Sequence, residues 1–511
     1  MTDQFDYIVV GAGSSGAVIA SRLSEDPDVS VLLLEAGPAD TDSKISIPAA
    51  FSQLFKSSVD WNYETTPQPG LDGRTVYWPR GKVLGGSSSL NAMMWVPGYA
   101  ADYENWAALA GPAWGWEALA PTFEATDISV TAQIAPRPLT RTFLNAAAEA
   151  GYRIEEANSA RPEGFTQAQV TQLRGARHNT SQAYLKPAKG RANLTVRTEA
   201  LVEKVLFDGH SATGVSYVVD GARFETKARR EVVLSAGAVN TPQLLMLSGI
   251  GDPAQLNSHG IPVLVDAPEV GKNMRDHLSS LFCLEVESGT LKDATKLRSV
   301  LNYLVRRKGM LTSNVAEAYG FVRSKESLAL PDIEVIFAPV AYVQEGLNGI
   351  PSHGVSLGPV LLQPQSRGSI TLASADPGDK VIIDAGYLSD PEGADRATML
   401  RALGIVSDII ASPSISAVTS GRYIAPLGAE RLPAEERLSA ALEGTSHTLY
   451  HPTSTARMGT DTSSVVDPQL RVRGVSGLRV ADASVMPEII RGHTHAPTVV
   501  IGEKAAELLR R

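Results

Sequence analysis

Apolar positions in this chain change period along its length, and the periods mark out elements. "FDYIVVGAGSSGAVIASRLSED" opens with a short apolar run, breaks at glycines and resumes at helical spacing. That order predicts a strand, a tight turn and a helix. "VSVLLLEAG" is a second run of strand length. Far downstream, "REVVLSAGAVNTPQLLMLSGIG" (230–251) repeats strand, turn and helix, and "VSGLRVADASVMP" (475–487) supplies a last strand. Strands from both ends are therefore expected to share one sheet. The region 275–440 reads differently. "SSLFCLEVE", "AEAYGFVRS", "DIEVIFAPVAYV", "GVSLGPVLLQPQ" and "GSITLAS" are strand-like and hairpin-spaced. "SDPEGADRATMLRALGIVSDIIAS" has helical periodicity after a Ser/Asp start.

This pattern predicts a two-domain α/β (α+β) architecture. A nucleotide-binding unit is expected from 1–150, 190–275 and 440–511. A mostly antiparallel sheet with helices, from 151–189 and 276–439, is inserted in it. A length of 511 residues is too great for one ordinary core and agrees with two units. A net charge of −9 argues against a nucleic-acid surface, which needs a basic face. No apolar run approaches ~18 residues, so no spanning helix is expected. "MTDQ" leads straight into a strand without a basic and then apolar leader. One cysteine, Cys283, allows no intrachain disulfide and reads as a small buried apolar residue. A cytoplasmic protein is expected.

Gly11, Gly13 and Gly16 form G-x-G-x-x-G between the first strand and helix. The first glycine permits the turn, the second lets backbone approach a pyrophosphate, and the third lets the helix pack on the strand. The helix N-terminus, with Ser14 and Ser15, offers N–H groups to phosphate. Glu35 ends the second strand nineteen residues after Gly16, where a carboxylate can accept a hydrogen bond from an adenosine ribose. This Rossmann-type fingerprint alone does not choose between NAD and FAD. A second glycine loop, "WPRGKVLGGSSSLNAMMW" (78–95), has a use along a longer cofactor such as FAD.

Four of nine histidines fall into two tight pairs, His447 with His451 and His493 with His495. Metal binding, proton handling and polar filler at a helix start compete. Pro452 discourages helix at His451, so a His-x₃-His face is not expected, and no acid sits beside either pair to complete a hydrolytic zinc site. No metal is expected. Taking up a proton suits a histidine near neutral pH.

Several segments resemble the glucose–methanol–choline (GMC) oxidoreductases. "GKVLGGSSSLNAMMWVPG" and "GAVNTPQLLMLSGIG" are similar to that family's two signature segments. "YHPTSTARMG" and "VVDPQLRVRGVSGLRVADASVMP" resemble its C-terminal segment, and "QPQSRGSITL" and "IDAGYLSDP" its substrate domain. The resemblance covers nearly the whole chain. It implies FAD and the oxidation of an alcohol to a carbonyl by base-assisted hydride transfer to flavin N5. It places Gly11, Gly13, Ser14, Ser15, Glu35 and Ala36 around the ADP half. Gly85, Gly86, Asn91, Ala92, Met93 and Met94 fall along the flavin side, Val202 at the adenine, and Asp482 and Ala483 at the pyrophosphate and ribityl chain.

Some members attach FAD through a histidine just before the motif asparagine. Leu90 stands there, which implies non-covalent FAD. The resemblance puts His451 and His493 at the two proton-handling positions, with His451 as base and His493 orienting. His493 replaces a commoner asparagine, as in the glucose- and aryl-alcohol-oxidising branches. His447 is expected to be a support residue or partly exposed, and His495 to hydrogen-bond locally. Leu449 and Tyr450 should line the pocket.

The expected partners are a small-molecule alcohol and oxygen or another electron acceptor. A sugar or glycoside is expected ahead of an aryl alcohol. Many members of the family it resembles carry a longer segment at 128–141, so the short connection here should leave a wider mouth, and no aromatic and acidic cage for a choline-type cation can be assembled around the motifs. Simple primary alcohols are the alternative, with a lyase or a non-redox flavin protein more remote.

Overall fold

The computed structural model of the chain describes residues 4–347 and 349–511, so most of "MTDQ" lies outside the described residues. The first sheet has seven strands. Leu194–Arg197, Val31–Leu34, Gln4–Val10 and Ala222–Leu234 run parallel in that order. Ile8, Val9, Leu32, Leu33, Val232 and Val233 are fully buried, as befits strands covered on both faces. Ala222–Leu234 serves two partners along its far edge. Its first half pairs antiparallel with Ser211–Val219, and Val232–Leu234 pairs parallel with Leu478–Val480. The two ends of the chain thus share one sheet, as the apolar runs predict.

The chain ends also meet through helices. Tyr7 donates its hydroxyl to the Leu509 carbonyl at 2.8 Å. The C-terminal helix His495–Arg510 packs on the first helix, Gly16–Leu23. They approach so closely at Gly502 that a Cβ there would lie 2.9 Å from the Ser15 backbone.

The second sheet is antiparallel, in the order Thr419–Ala425, Phe282–Val286, Gly354–Leu361, Ile333–Ala338, Ala318–Val322 and Gly164–Gln167. Three of the expected strands form a meander. Two depart from hairpin order. Phe282–Val286 crosses to the far side of Gly354–Leu361. Ser369–Thr371 leaves the sheet and pairs with Ile382–Asp384 in a hairpin of its own. Ile333, Val335 and Phe337 face a helical layer that includes Ala394–Ile410. With a period of two, Glu334, Ile336 and Ala338 face the opposite way.

The helix Pro138–Glu149, placed by the sequence reading in the first unit, packs on this second sheet. Phe143 stacks on Phe337 with ring centroids 4.7 Å apart. Its amphipathic pattern could not say which sheet it would cover.

Leu278–Ser279 stitches the units at the site. Ser279 pairs with Val360 of the second sheet and also with His447, the start of the His-Pro segment.

Candidate active site

One cavity runs between the two units. Gly11, Gly13, Ser14, Ser15, Glu35, Ala36 and Val202 line it on the first-sheet side, together with Asp482 and Ala483. Gly86, Asn91, Ala92, Met93 and Met94 line its middle, with buried Leu90 at the asparagine's flank. His447, Leu449, Tyr450, His451 and His493 line it near the second sheet, and His495 lines it beside the glycine turn. Of the residues predicted from sequence, Gly85 alone stands behind the wall. It turns the loop at φ +87° and receives its shape from the Gly85 N–H donation to Ala12.

The glycines have three different reasons. A Cβ on Gly16 would meet the Gly11 carbonyl at 1.9 Å, and one on Gly11 would meet the Ser235 carbonyl at 2.4 Å. Those two glycines close the turn. Gly13 is different, since nothing comes nearer than 3.9 Å to the missing Cβ. Its bare backbone therefore faces the cavity, which is what close approach of a pyrophosphate requires. No side chain caps the helix that follows, leaving its N-terminus open to an anion. Glu35 accepts from the Ala12 and Gly37 N–H groups, each at 2.9 Å, and burial pushes its pKa up to about 7. Asp482 accepts from Gly237 N–H at 2.9 Å and Thr241 Oγ1 at 2.6 Å, fixing the last strand's end beside the loop after Leu234.

His495 corrects the sequence reading. Its Nδ1 lies 2.9 Å from Ser14 Oγ, 481 residues away, and is not a local bond. Its Nε2 is buried without a partner among the described residues. A buried unpaired ring nitrogen beside the phosphate loop is the kind of atom a bound dinucleotide satisfies. Burial, then the charge of Arg177, holds its pKa down at about 4.

The histidine end of the cavity is built by three chain segments. His451 and His493 rings sit 4.8 Å apart. His277 Nδ1 lies 2.9 Å from His451 Nδ1, and His277 Nε2 lies 3.1 Å from the Leu362 carbonyl. A carbonyl only accepts, so His277 Nε2 carries the proton. Neutral His277 then accepts at Nδ1, and His451 must donate there. That leaves the lone pair of His451 on Nε2. Burial, then the nearby His493 and His277, holds the His451 pKa well below its ordinary value, and burial takes His277 down to about 3.

Acids distant in sequence reach these histidines in the fold. Glu334, fully buried, lies 3.0 and 3.1 Å from His493 Nε2 through its two oxygens. Asp276 accepts the His451 backbone N–H at 2.8 Å, Thr448 Oγ1 at 2.6 Å and Tyr387 Oη at 2.5 Å. Neither is near a histidine pair in sequence. A carboxylate among apolar residues in "DIEVIFAPV" was the available signal for Glu334. Nothing marked His277 or Asp276. Among the described residues no group of three or more His, Cys, Asp or Glu is arranged to hold a metal ion. Cys283 is buried, and burial pushes its thiol up to about 12.

His447 is half-buried, with Nδ1 2.7 Å from the Thr448 carbonyl. Around it stands an aromatic cluster that the motifs could not reveal. Phe51 and Phe55 are 5.7 Å apart, Phe55 and Tyr450 6.0 Å, and the hydroxyls of Tyr342 and Tyr450 meet at 3.0 Å. Leu281, Val315 and Leu449 complete this part of the lining.

A Rossmann-type sheet whose cavity joins a phosphate-type glycine loop to paired histidines is the plan of a dinucleotide-dependent oxidoreductase. The comparisons make this specific. GMC oxidoreductase models match residues 5–279 (N-terminal) and 364–502 (C-terminal), and the chain belongs to that family. It is 53% identical to a GMC-type oxidoreductase of Mycobacterium tuberculosis over the full length of both. It is 42% identical to the alcohol dehydrogenase [acceptor] of Pseudomonas putida, covering 99% of this chain and 96% of that one. Among solved structures, pyridoxine 4-oxidase from Mesorbium loti superposes with a TM-score of 0.87, at 32% identity and 98% coverage of each. The protein is thus an oxidoreductase of the GMC type.

Proposed function

We propose that the protein binds FAD without a covalent bond and oxidises an alcohol hydroxyl to a carbonyl. The ADP half is assigned to Gly11, Gly13, Ser14, Ser15, Glu35, Ala36 and Val202. The flavin half is assigned to the loop around Gly86–Met94, with Asp482, Ala483 and His495. Leu90 offers no nucleophile for attachment. Bound FAD supplies the hydride acceptor. The chain's residues handle the proton and the oxygen.

His451 Nε2 takes the hydroxyl proton. His493 orients the oxygen: Glu334 takes its Nε2–H, so only a ring that also carries a proton on Nδ1 can donate to the developing negative charge. Asp276 and His277 hold the base in place. The observation that carries this reading is the His277–His451 hydrogen bond, because it points the unprotonated nitrogen of His451 away from the wall. The division into a cofactor-binding and a substrate-binding unit follows the two sheets, with the Pro138–Glu149 helix moved to the second.

The lining reorders the substrate classes. Phe51, Phe55, Tyr342, Leu449 and Tyr450 offer ring faces and apolar surface, which suit an aryl or other apolar alcohol better than a sugar. A cationic alcohol is the second reading, because the same aromatic cluster has Glu345 in electrostatic reach of Tyr450. The half-buried cation Arg80, whose Nη2 donates to the Tyr450 carbonyl at 2.7 Å, weighs against it.

Anaerobic mixing with panels of aryl, aliphatic, sugar and quaternary-ammonium alcohols tests the proposal. The expected result is bleaching of the flavin, fastest with aryl alcohols. Flavin should be released into solution on acid denaturation. A protein that cannot be loaded with FAD, or loaded protein that no alcohol bleaches, would overturn the reading. Fastest bleaching by a sugar or by choline would overturn the substrate order alone.

A further inference from the structure

The helix Leu297–Arg306 buries one side chain, Tyr303, whose hydroxyl donates to the Ser46 carbonyl at 3.1 Å. Val300 is half-buried, and the helix's four other apolar residues turn outward. Leu297, Leu301, Leu304 and Val305 are 73%, 50%, 62% and 78% exposed. At ~100° per residue, these four fall within an arc of roughly 100° on one side of the helix. A stripe of that width normally faces a core, and here it faces out.

The flanks of the stripe are cationic. Lys292, Lys296 and Arg298 stand at its start, and Arg306, Arg307 and Lys308 at its end, with Asp293 the one acid among them. Asp293 pairs with Lys296 at 2.8 Å, and the Arg307 guanidinium lies over the Tyr303 ring. Arg298, Arg306 and Lys308 make no ion pair among the described residues. This basic cluster sits in a chain whose net charge is −9.

We propose that Leu297–Arg306 is a docking helix for an anionic lipid surface. It would lie in the plane of the interface, leucines among the acyl chains and cations at the headgroups. No helix of the described residues is long and apolar enough to cross a membrane, so the attachment is peripheral. Two features favour lipid over a second copy of the chain. A twofold contact through this stripe would bring one basic cluster against another. An anionic surface would meet these cations, whereas the chain's net charge would repel it elsewhere. Met310–Thr312, just after the helix, packs on Pro48–Leu54, whose Phe51 lines the cavity. Docking would therefore set the cavity's aromatic end next to the bilayer.

The test is flotation of the full-length FAD-loaded protein with two kinds of vesicle at ~0.1 M salt. One is phosphatidylcholine alone, and the other contains phosphatidylglycerol. Binding to the second and not the first is expected, weakening as salt is raised. Leu301→Glu with Leu304→Glu should weaken it roughly 100-fold, since two half-exposed leucines lose their burial in lipid. Arg298→Glu, Arg306→Glu and Lys308→Glu together should abolish the preference for phosphatidylglycerol. Both sets should keep the wild-type circular dichroism and the wild-type rate of flavin reduction in free solution. Failure of the wild type to bind either vesicle overturns the proposal, as does undiminished binding by both variant sets. A wild-type dimer that the leucine variant dissociates, with no vesicle binding, would show that a second copy covers the stripe.

Discussion

His277 Nδ1 and His451 Nδ1 share one hydrogen bond, 2.9 Å long, while His277 Nε2 is spent on the Leu362 carbonyl at 3.1 Å. One proton position on His277 therefore sets the proton position on His451. His277→Phe keeps the ring and removes both nitrogens. It should slow flavin reduction by about 10–100-fold, the range expected when a base loses its orientation but keeps its chemistry. His277→Asn can still accept from one neighbour and donate to the other, and should recover much of the loss. Stopped-flow reduction under anaerobic conditions measures both. A phenylalanine variant with the wild-type rate would show that something else orients His451.

His451→Ala should slow the same step by roughly 10²–10⁴, the usual worth of a positioned base. Part of the loss should return at high pH, where more substrate is already alkoxide. His493→Ala should also impair reduction, and His493→Asn less so, because an amide can still hold the oxygen. His447→Ala should change KM more than the limiting rate, since His447 borders the aromatic lining and its ring nitrogen Nδ1 bonds to the Thr448 carbonyl of its own strand. Equal damage from His447→Ala and His451→Ala, with FAD retained, would mean that the base is misassigned.

The pH profile follows from burial. The folded-state pKa of His451 lies well below 6.5, so its neutral form persists as pH falls through the range where an ordinary histidine would take a proton. The rate of flavin reduction should therefore stay level from pH 7 to below pH 6. An acid limb centred at ~6.5 would place a solvent-like histidine in the role.

The glycines separate fold from cofactor. Gly11→Ala and Gly16→Ala drive a methyl into backbone carbonyls and should lower Tm and soluble yield. Gly13→Ala meets nothing within 3.9 Å. It should leave the fold intact and weaken FAD binding, read as flavin content per chain and its dissociation constant. A Gly13→Ala protein with full FAD affinity would place the pyrophosphate elsewhere.

Sequence alone determined what depends on local pattern. The glycine spacing and the acid at Glu35 marked a nucleotide turn because a turn's demands are met by a few adjacent residues. Apolar runs such as "YIVV" and "VLLL" marked buried strands, and two histidine pairs marked candidates for proton handling. Partnership across the chain was decided by tertiary structure. Pro138–Glu149 has a face that either sheet could have covered, and only packing put Phe143 on Phe337. Glu334 became a partner of His493 because strand alternation turned it away from Ile333, Val335 and Phe337. His277 reached His451 because Leu278–Ser279 pairs with His447–Thr448, a juxtaposition no spacing encodes. The aromatic lining gathers positions 51, 55, 342 and 450 for the same reason. A hydrogen bond or a ring contact is satisfied by any suitable neighbour in space, and which neighbours arrive is fixed by how the two sheets close on one another.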